Sequence, residues 1–322
     1  MEVAGHPSLS GWSMKHHCFL LCLALANLAR GSGLPPSGPL KLGHSVRSTL
    51  SRPDRRLSVD IWFPTDRARA PFPLLMFSPG FGNKPSQYLS QLEDLASHGF
   101  VIAAVDHPAD RLDSFELRAK LWAEDIIAAK QTVLDSELAK IIDRRKLGAF
   151  GHSLGGRAAA AACLLEPAIV ACMNQDGGND DVQLLRPYWP IEGRSFAGTF
   201  AMLDWFDPGL DDEDFRAMGK TREQYAASRL EPSASALAAY RAVRRGAYRI
   251  TILAPGMRHT VFTDGPWSAA STNEQRQRYA DRLNQVRSIT RGFFDAALKD
   301  DRPSCDLSFA ATHIICFTPQ SR

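Results

Sequence analysis

The stretch GAFGHSLGGRAAAAA, residues 148–162, sets Ser153 between two glycines and follows it with a run of alanine. The residues before the serine, KLGAFG (146–151), are apolar, and those after it, LGGRAAAAACLLE (154–166), repeat with helical spacing. A strand that passes straight into a helix must bend its backbone sharply at one residue, here the serine. Gly151 and Gly155 remove side chains that would collide at the bend, while Gly156 and Ala158 to Ala162 let the helix lie close to its sheet. The turn lifts the Ser153 hydroxyl clear of the strand's C-terminal end. Such a turn belongs to an open sheet with strand-to-helix crossovers.

The rest of the chain carries the same alternation. Apolar runs recur at LSVDIWF (57–63), PLLMFS (73–78), FVIAAVD (100–106), AIVACMNQ (168–175), SFAGTFAML (195–203) and YRITILA (248–254). Helical patterns separate them at residues 86–99, 114–142 and 154–166. Continuously apolar strands are buried on both faces, and crossovers through helices make neighbouring strands parallel. The expected fold class is therefore α/β, with a mainly parallel central sheet and helices on both faces, formed by residues 40–300. The first two strands precede any helix and are expected to form an antiparallel edge. Residues 204–246, with Trp205, Phe206 and an Ala-rich stretch, read either as a lid-like excursion or as an ordinary crossover.

The ends read differently. Met14-Lys15-His16-His17 precedes the apolar run CFLLCLALANLA (18–29), too short to span a bilayer and ending in small residues, so residues 1–30 read as a secretory signal. A Pro/Gly-rich linker, 31–39, follows, and residues 301–322 form a C-terminal tail. Export permits disulfides, and Cys305 with Cys316 flanks a short segment that a bond would staple. Cys163 and Cys172 fall in apolar settings that suit a buried thiol or a bond. No Cys or His spacing suggests a structural zinc, so no metal is expected. A net charge of +3 is too small to point to nucleic acid as a partner. Oligomeric state has no sequence signature here.

A serine hydroxyl is a weak nucleophile at neutral pH and needs a base oriented by a carboxylate. His259, in APGMRHTVFTD just beyond YRITILA, stands late in the chain where the order serine, acid, histidine requires the base. Histidines 98, 107 and 152 precede the serine and read as loop or packing residues, with His152 near enough to line a pocket. His313 reads as tail. Two carboxylates end the strands after the serine: Asp176 in ACMNQDGG and Asp204 in FAMLDWFDPG, and position alone favours Asp204. SPGFG (78–82) follows an early strand and exposes the Phe81 N–H; with the Leu154 N–H it would form an oxyanion hole.

Together SPGFG, GHSLGG (151–156), QDGG (175–178) and GMRHTVFTD (256–264) resemble the α/β-hydrolase fold in its platelet-activating-factor acetylhydrolase branch, over about residues 40–295. The resemblance implies a serine esterase that needs no cofactor and acts on small-molecule, lipid or phospholipid esters, in contact with a lipid surface. It selects Asp176 as the triad acid. It also makes Asp106-His107-Pro108 a pocket-wall loop, with Trp189, Trp205 and Phe206 candidates for an acyl groove. Pro79 departs from the branch, which has His there. Two rivals remain: a polyester or cutin hydrolase with the same triad, and a non-catalytic binding protein on the same fold.

Overall fold

Strand β3 (Phe72–Ser78) is buried along its whole length, and the rest of the fold is arranged around it. The computed structural model describes residues 33–177, 195–201, 219, 221, 224, 247–252, 259–299, 308, 310 and 312–317. The other strands are β1 (Leu42–Arg52), β2 (Arg55–Pro64), β4 (Val101–Asp106), β5 (Ile142–His152) and β6 (Ile169–Gln175), with β7 (Ser195–Ala201), β8 (Ala247–Ile252) and β9 (Thr312–Phe317). They form one sheet in the order β1-β2-β4-β3-β5-β6-β7-β8-β9. From β4 to β8 every pairing is parallel. β1 and β2 at one edge and β9 at the other pair antiparallel.

Four helices flank the described sheet: α1 (Leu89–Ser97), α2 (Phe115–Leu134), α3 (Leu154–Leu165) and α4 (Asn273–Phe294). Alternate strand residues divide between two cores, as the period of two demands. Leu74, Met76, Val101, Ala103 and Ala149 pack with α2 and α3, while Leu75, Phe77, Ile102, Ala104 and Phe150 pack with α1 and α4. Ser114 caps α2 through the Leu117 N–H, and Thr272 opens α4 with a capping box shared with Gln275. The polar α4 was not visible as a periodic apolar pattern, yet it buries Leu283, Val286, Ile289, Phe293 and Phe294.

Four expectations change. PLLMFS is not an edge strand: as β3 it lies between β4 and β5, parallel to both, because a fully buried strand needs partners on each side. The edge is β1, whose alternating burial leaves one face to solvent. Part of the expected tail is strand β9, which carries His313 and Cys316 on its backbone ladder with β8. The described end of the expected linker is docked: Leu34 N–H donates to Ser90 Oγ, Ser37 N–H to Asp94 Oδ1 and Gly38 N–H to Ser97 Oγ, all on α1. Arg287 of α4 closes this strap by donating to the Leu34 and Pro35 carbonyls.

Cys163 of α3 and Cys172 of β6 are joined as a disulfide, which resolves the alternatives for these two positions. Cys305, the expected signal segment 1–30, and nearly all of 204–246 lie outside the described residues. Among the described residues no helix is long and apolar enough to cross a membrane.

Candidate active site

Ser153 joins β5 to α3 with φ 54° and ψ −125°, a conformation that non-glycine residues rarely adopt. It occupies the N-cap position of α3, where a serine usually spends its oxygen on the helix, yet its side chain makes no capping hydrogen bond. The bend is permitted by its neighbours. A Cβ at Gly151 would collide with the carbonyls of Gly155 and Ser78, and one at Gly155 with those of Ser78 and Pro79. The first turn of α3 therefore sits directly on the SPGFG loop.

On the adjacent strand, His152 pairs with Gln175, so Ser153 and Asp176 are the next residues off two neighbouring strand ends. The Ser153 N–H donates to the Gln175 carbonyl at 2.8 Å. Asp176, also at φ 54°, is buried, and its Oδ2 accepts from His259 Nδ1 at 2.7 Å. A proton on Nδ1 leaves Nε2 as the basic nitrogen of a neutral imidazole. His259 opens a short 3-10 turn (His259–Phe262), and its ring lies 4.5 Å from that of His152, the residue before the serine. That turn is tied to the acid's strand: Gln91 donates to the Phe262 carbonyl at 2.6 Å, and Gln175 donates to Gln91 at 2.8 Å. Asp204 lies outside the described residues.

The two expected oxyanion donors come from touching elements. Leu154 is the first residue of α3, whose leading N–H groups have no intrahelical acceptor. Phe81 is in a tight turn closed by the Asn83 N–H on the Gly80 carbonyl at 3.0 Å, with Gly82 at φ 75°.

The described fold superposes on a ferulic acid esterase from Streptomyces cinnamoneus with TM-score 0.59 at 21% identity, covering 87% of this chain and 98% of that one. Residues 38–183 match the family described as PETase, PET hydrolase-like. The chain has the α/β-hydrolase fold. It is 27% identical over 157 residues to a probable 1-alkyl-2-acetylglycerophosphocholine esterase of Arthroderma benhamiae, covering 42% of this chain and 40% of that protein. It is 30% identical over 164 residues to a bis(hydroxyethyl) terephthalate hydrolase of Streptomyces coelicolor, covering 49% and 51%. The chain thus spans 40% and 51% of the length of these two relatives.

The same fold holds another serine, histidine and carboxylate in line. Ser78 Oγ, at the end of β3, lies 2.8 Å from His107 Nε2, and His107 Nδ1 lies 2.7 Å from Asp125 Oδ2. Arg55 donates to both Asp125 oxygens, and the His107 ring stacks 4.0 Å from Trp122. Burial pushes the His107 pKa down despite the neighbouring carboxylate. Burial also acts to raise that of Asp125, but hydrogen bonds from His107 and Arg55 outweigh it and hold the carboxyl below its usual range. Ser78 and Asp125 are fully buried, so this array meets no substrate. His107 is therefore not a pocket wall. It points inward beneath the SPGFG loop, leaving Asp106 to face Lys84 at 3.3 Å.

On the SPGFG loop, the exposed Phe81 meets Phe115 edge to face, with centroids 5.8 Å apart, and the Arg118 guanidinium lies over both rings. Asp110 accepts from Arg118 at 2.8 Å. Phe115 had no sequence signal beyond its place in a helix. Trp189, Trp205 and Phe206 lie outside the described residues. Among the described residues no group of three or more His, Cys, Asp or Glu side chains could hold a metal ion.

Proposed function

We propose that this chain is a serine carboxylic-ester hydrolase working through an acyl-enzyme. The observation that carries the reading is the His259–Asp176 hydrogen bond, formed at the strand end beside the strained, uncapped Ser153. His259 Nε2 takes the Ser153 proton as Oγ bonds to the ester carbonyl carbon, and Asp176 stabilises the imidazolium. The Phe81 and Leu154 N–H groups receive the oxyanion, each worth roughly 3 kcal/mol. The tetrahedral intermediate expels the alcohol, which leaves with the proton from His259. Water, deprotonated by the same His259, then attacks the acyl carbon, and the acid departs as Oγ regains its proton. Each step uses the chain's own groups and water, so no cofactor is called for.

The substrates are small carboxylic esters, with short-chain lipid or phospholipid esters supported by the name of the Arthroderma relative. A second reading, aryl or terephthalate esters, is favoured by the exposed Phe81–Phe115 pair and by the match to PET hydrolase-like proteins. Residues 1–30 act as an export signal in this proposal.

The test is hydrolysis of p-nitrophenyl acetate, butyrate and octanoate, and of bis(hydroxyethyl) terephthalate, by the full chain and by Ser153→Ala and Asp176→Asn. We expect Ser153→Ala to abolish turnover and Asp176→Asn to lower kcat by about 10⁴-fold, because an amide cannot hold the imidazole in the required tautomer. A folded wild-type protein inactive on all four esters would move the reading to a binding protein on a hydrolase fold.

A further inference from the structure

Tyr88 and His152 lie outside both the triad and the oxyanion donors, yet Tyr88 holds Gly80, the residue before Phe81, and the His152 ring lies 4.5 Å from that of His259. Tyr88 is fully buried at the start of α1, and His152 is buried at the end of β5. The Gly80 N–H donates to the Tyr88 hydroxyl at 2.9 Å, and Asn83 Nδ2 donates to the same oxygen at 3.2 Å. A phenol has one proton to give. With two donors already aimed at its oxygen, that proton goes to His152 Nδ1, 2.9 Å away. His152 therefore carries its own proton on Nε2, and burial pushes its pKa well down so that it stays neutral, the more so when His259 takes up a proton. Its Nε2–H faces the backbone of His259 without closing a hydrogen bond.

The geometry of one peptide shows what this does. Gly80 is held at both ends, its N–H by Tyr88 and its carbonyl by the Asn83 N–H. In a trans peptide the carbonyl and the next N–H point in opposite directions. Turning the Gly80 carbonyl into the loop therefore turns the Phe81 N–H out of it. A Cβ on Gly80 would press at 3.1–3.2 Å on Asn83 Nδ2, His152 Nδ1 and the Tyr88 hydroxyl, so only glycine sits easily against all three.

We propose that Tyr88 and His152 are positioning residues, a phenol–imidazole strut that runs from the oxyanion loop to the ring of His259 and aims the Phe81 N–H. This rests on the serine-hydrolase reading above. The strut touches no substrate and acts through Gly80 and His259. A donor displaced by about 1 Å costs on the order of 10²-fold in rate. Because the oxyanion exists only in the transition state, the loss falls on kcat rather than KM.

The experiment uses the full chain with Tyr88→Phe, which deletes one oxygen, and compares His152→Asn, whose amide keeps an acceptor near the place of Nδ1, with His152→Leu. Three quantities are read: kcat and KM on p-nitrophenyl acetate, inhibition by phenylboronic acid, and amide hydrogen exchange across residues 79–84. We expect Tyr88→Phe to lose about 10- to 100-fold in kcat with KM within about threefold. It should bind the boronic acid correspondingly more weakly and exchange faster over 79–84 alone. His152→Leu should fall with it, and His152→Asn should recover most of the loss. A Tyr88→Phe protein with wild-type kcat, or one whose exchange over 79–84 is unchanged, overturns the proposal. A loss shared by kcat and KM with exchange raised everywhere does so too, since that is general destabilisation. If Ser153→Ala, run alongside, hydrolyses as fast as wild type, the serine-hydrolase reading fails instead, and the exchange result alone decides whether the strut holds the loop.

Discussion

Replacing Asp264 with Asn should change the pH dependence of stability in a way set by one buried carboxyl. Asp264 follows the 3-10 turn that carries His259; its N–H donates to the Gln87 carbonyl at 2.8 Å and its Oδ2 accepts from Ser90 N–H at 3.1 Å. The side chain is 1% exposed and Oδ1 has no hydrogen-bond partner. Burial raises its pKa from 3.8 to about 6, against the opposing pull of the Ser90 hydrogen bonds and the Arg287 charge. A folded pKa above the unfolded one means that the native state holds the proton more tightly. The contribution of Asp264 to stability is then greatest below about pH 4 and is lost as pH rises through about 6. The shift corresponds to about 3 kcal/mol in all, of which about 2.5 kcal/mol separates pH 4 from pH 8. An asparagine does not titrate. Whatever its fixed hydrogen-bonding cost, the stability of Asp264→Asn relative to wild type should improve by about 2.5 kcal/mol between pH 4 and pH 8. Urea unfolding of both proteins at the two pH values measures this directly, because every other titrating group cancels in the comparison. A difference that is the same at both pH values, or that worsens at pH 8, would show that Arg287 keeps the carboxyl ionised at ordinary pKa, and the reasoning would fail.

Two other outcomes follow from buried groups. Asp125→Asn strands the Arg55 guanidinium, now 2.7 Å from its carboxylate, and should destabilise the fold by about 3–5 kcal/mol in urea unfolding; a loss below about 1 kcal/mol would remove the second array from the list of structural supports. Cys163 and Cys172 should resist alkylation in the denatured, unreduced protein, and Cys163→Ala should cost about 2–3 kcal/mol for a bond closing nine residues; recovery of both as free thiols from protein folded under oxidising conditions would rule out the bond.

Several features were legible because they are local. The elbow is written in GHSLGG, since a sharp bend against packed carbonyls admits only glycine at positions 151 and 155. The parallel centre is written in runs such as FVIAAVD and AIVACMNQ, since strands covered on both faces have no polar side to alternate. The edges were harder to see. β1 keeps one face in solvent, and β9 is a short strand in a segment that otherwise read as tail.

The sequence by itself determined that a serine would stand on a strained turn at the end of a parallel strand, because backbone geometry and side-chain size act between residues a few positions apart. Its carboxylate stayed open between Asp176 and Asp204 until a family resemblance chose. Tertiary structure alone decided which polar groups meet: His259 with Asp176 across 83 positions, Tyr88 with His152 across 64, and Ser78 with His107 across 29. These contacts depend on β3 lying between β4 and β5 and on the helix pairs taking opposite faces. A hydrogen bond between distant residues leaves no periodicity in the chain, so its partners become visible only when the sheet order brings their strand ends together.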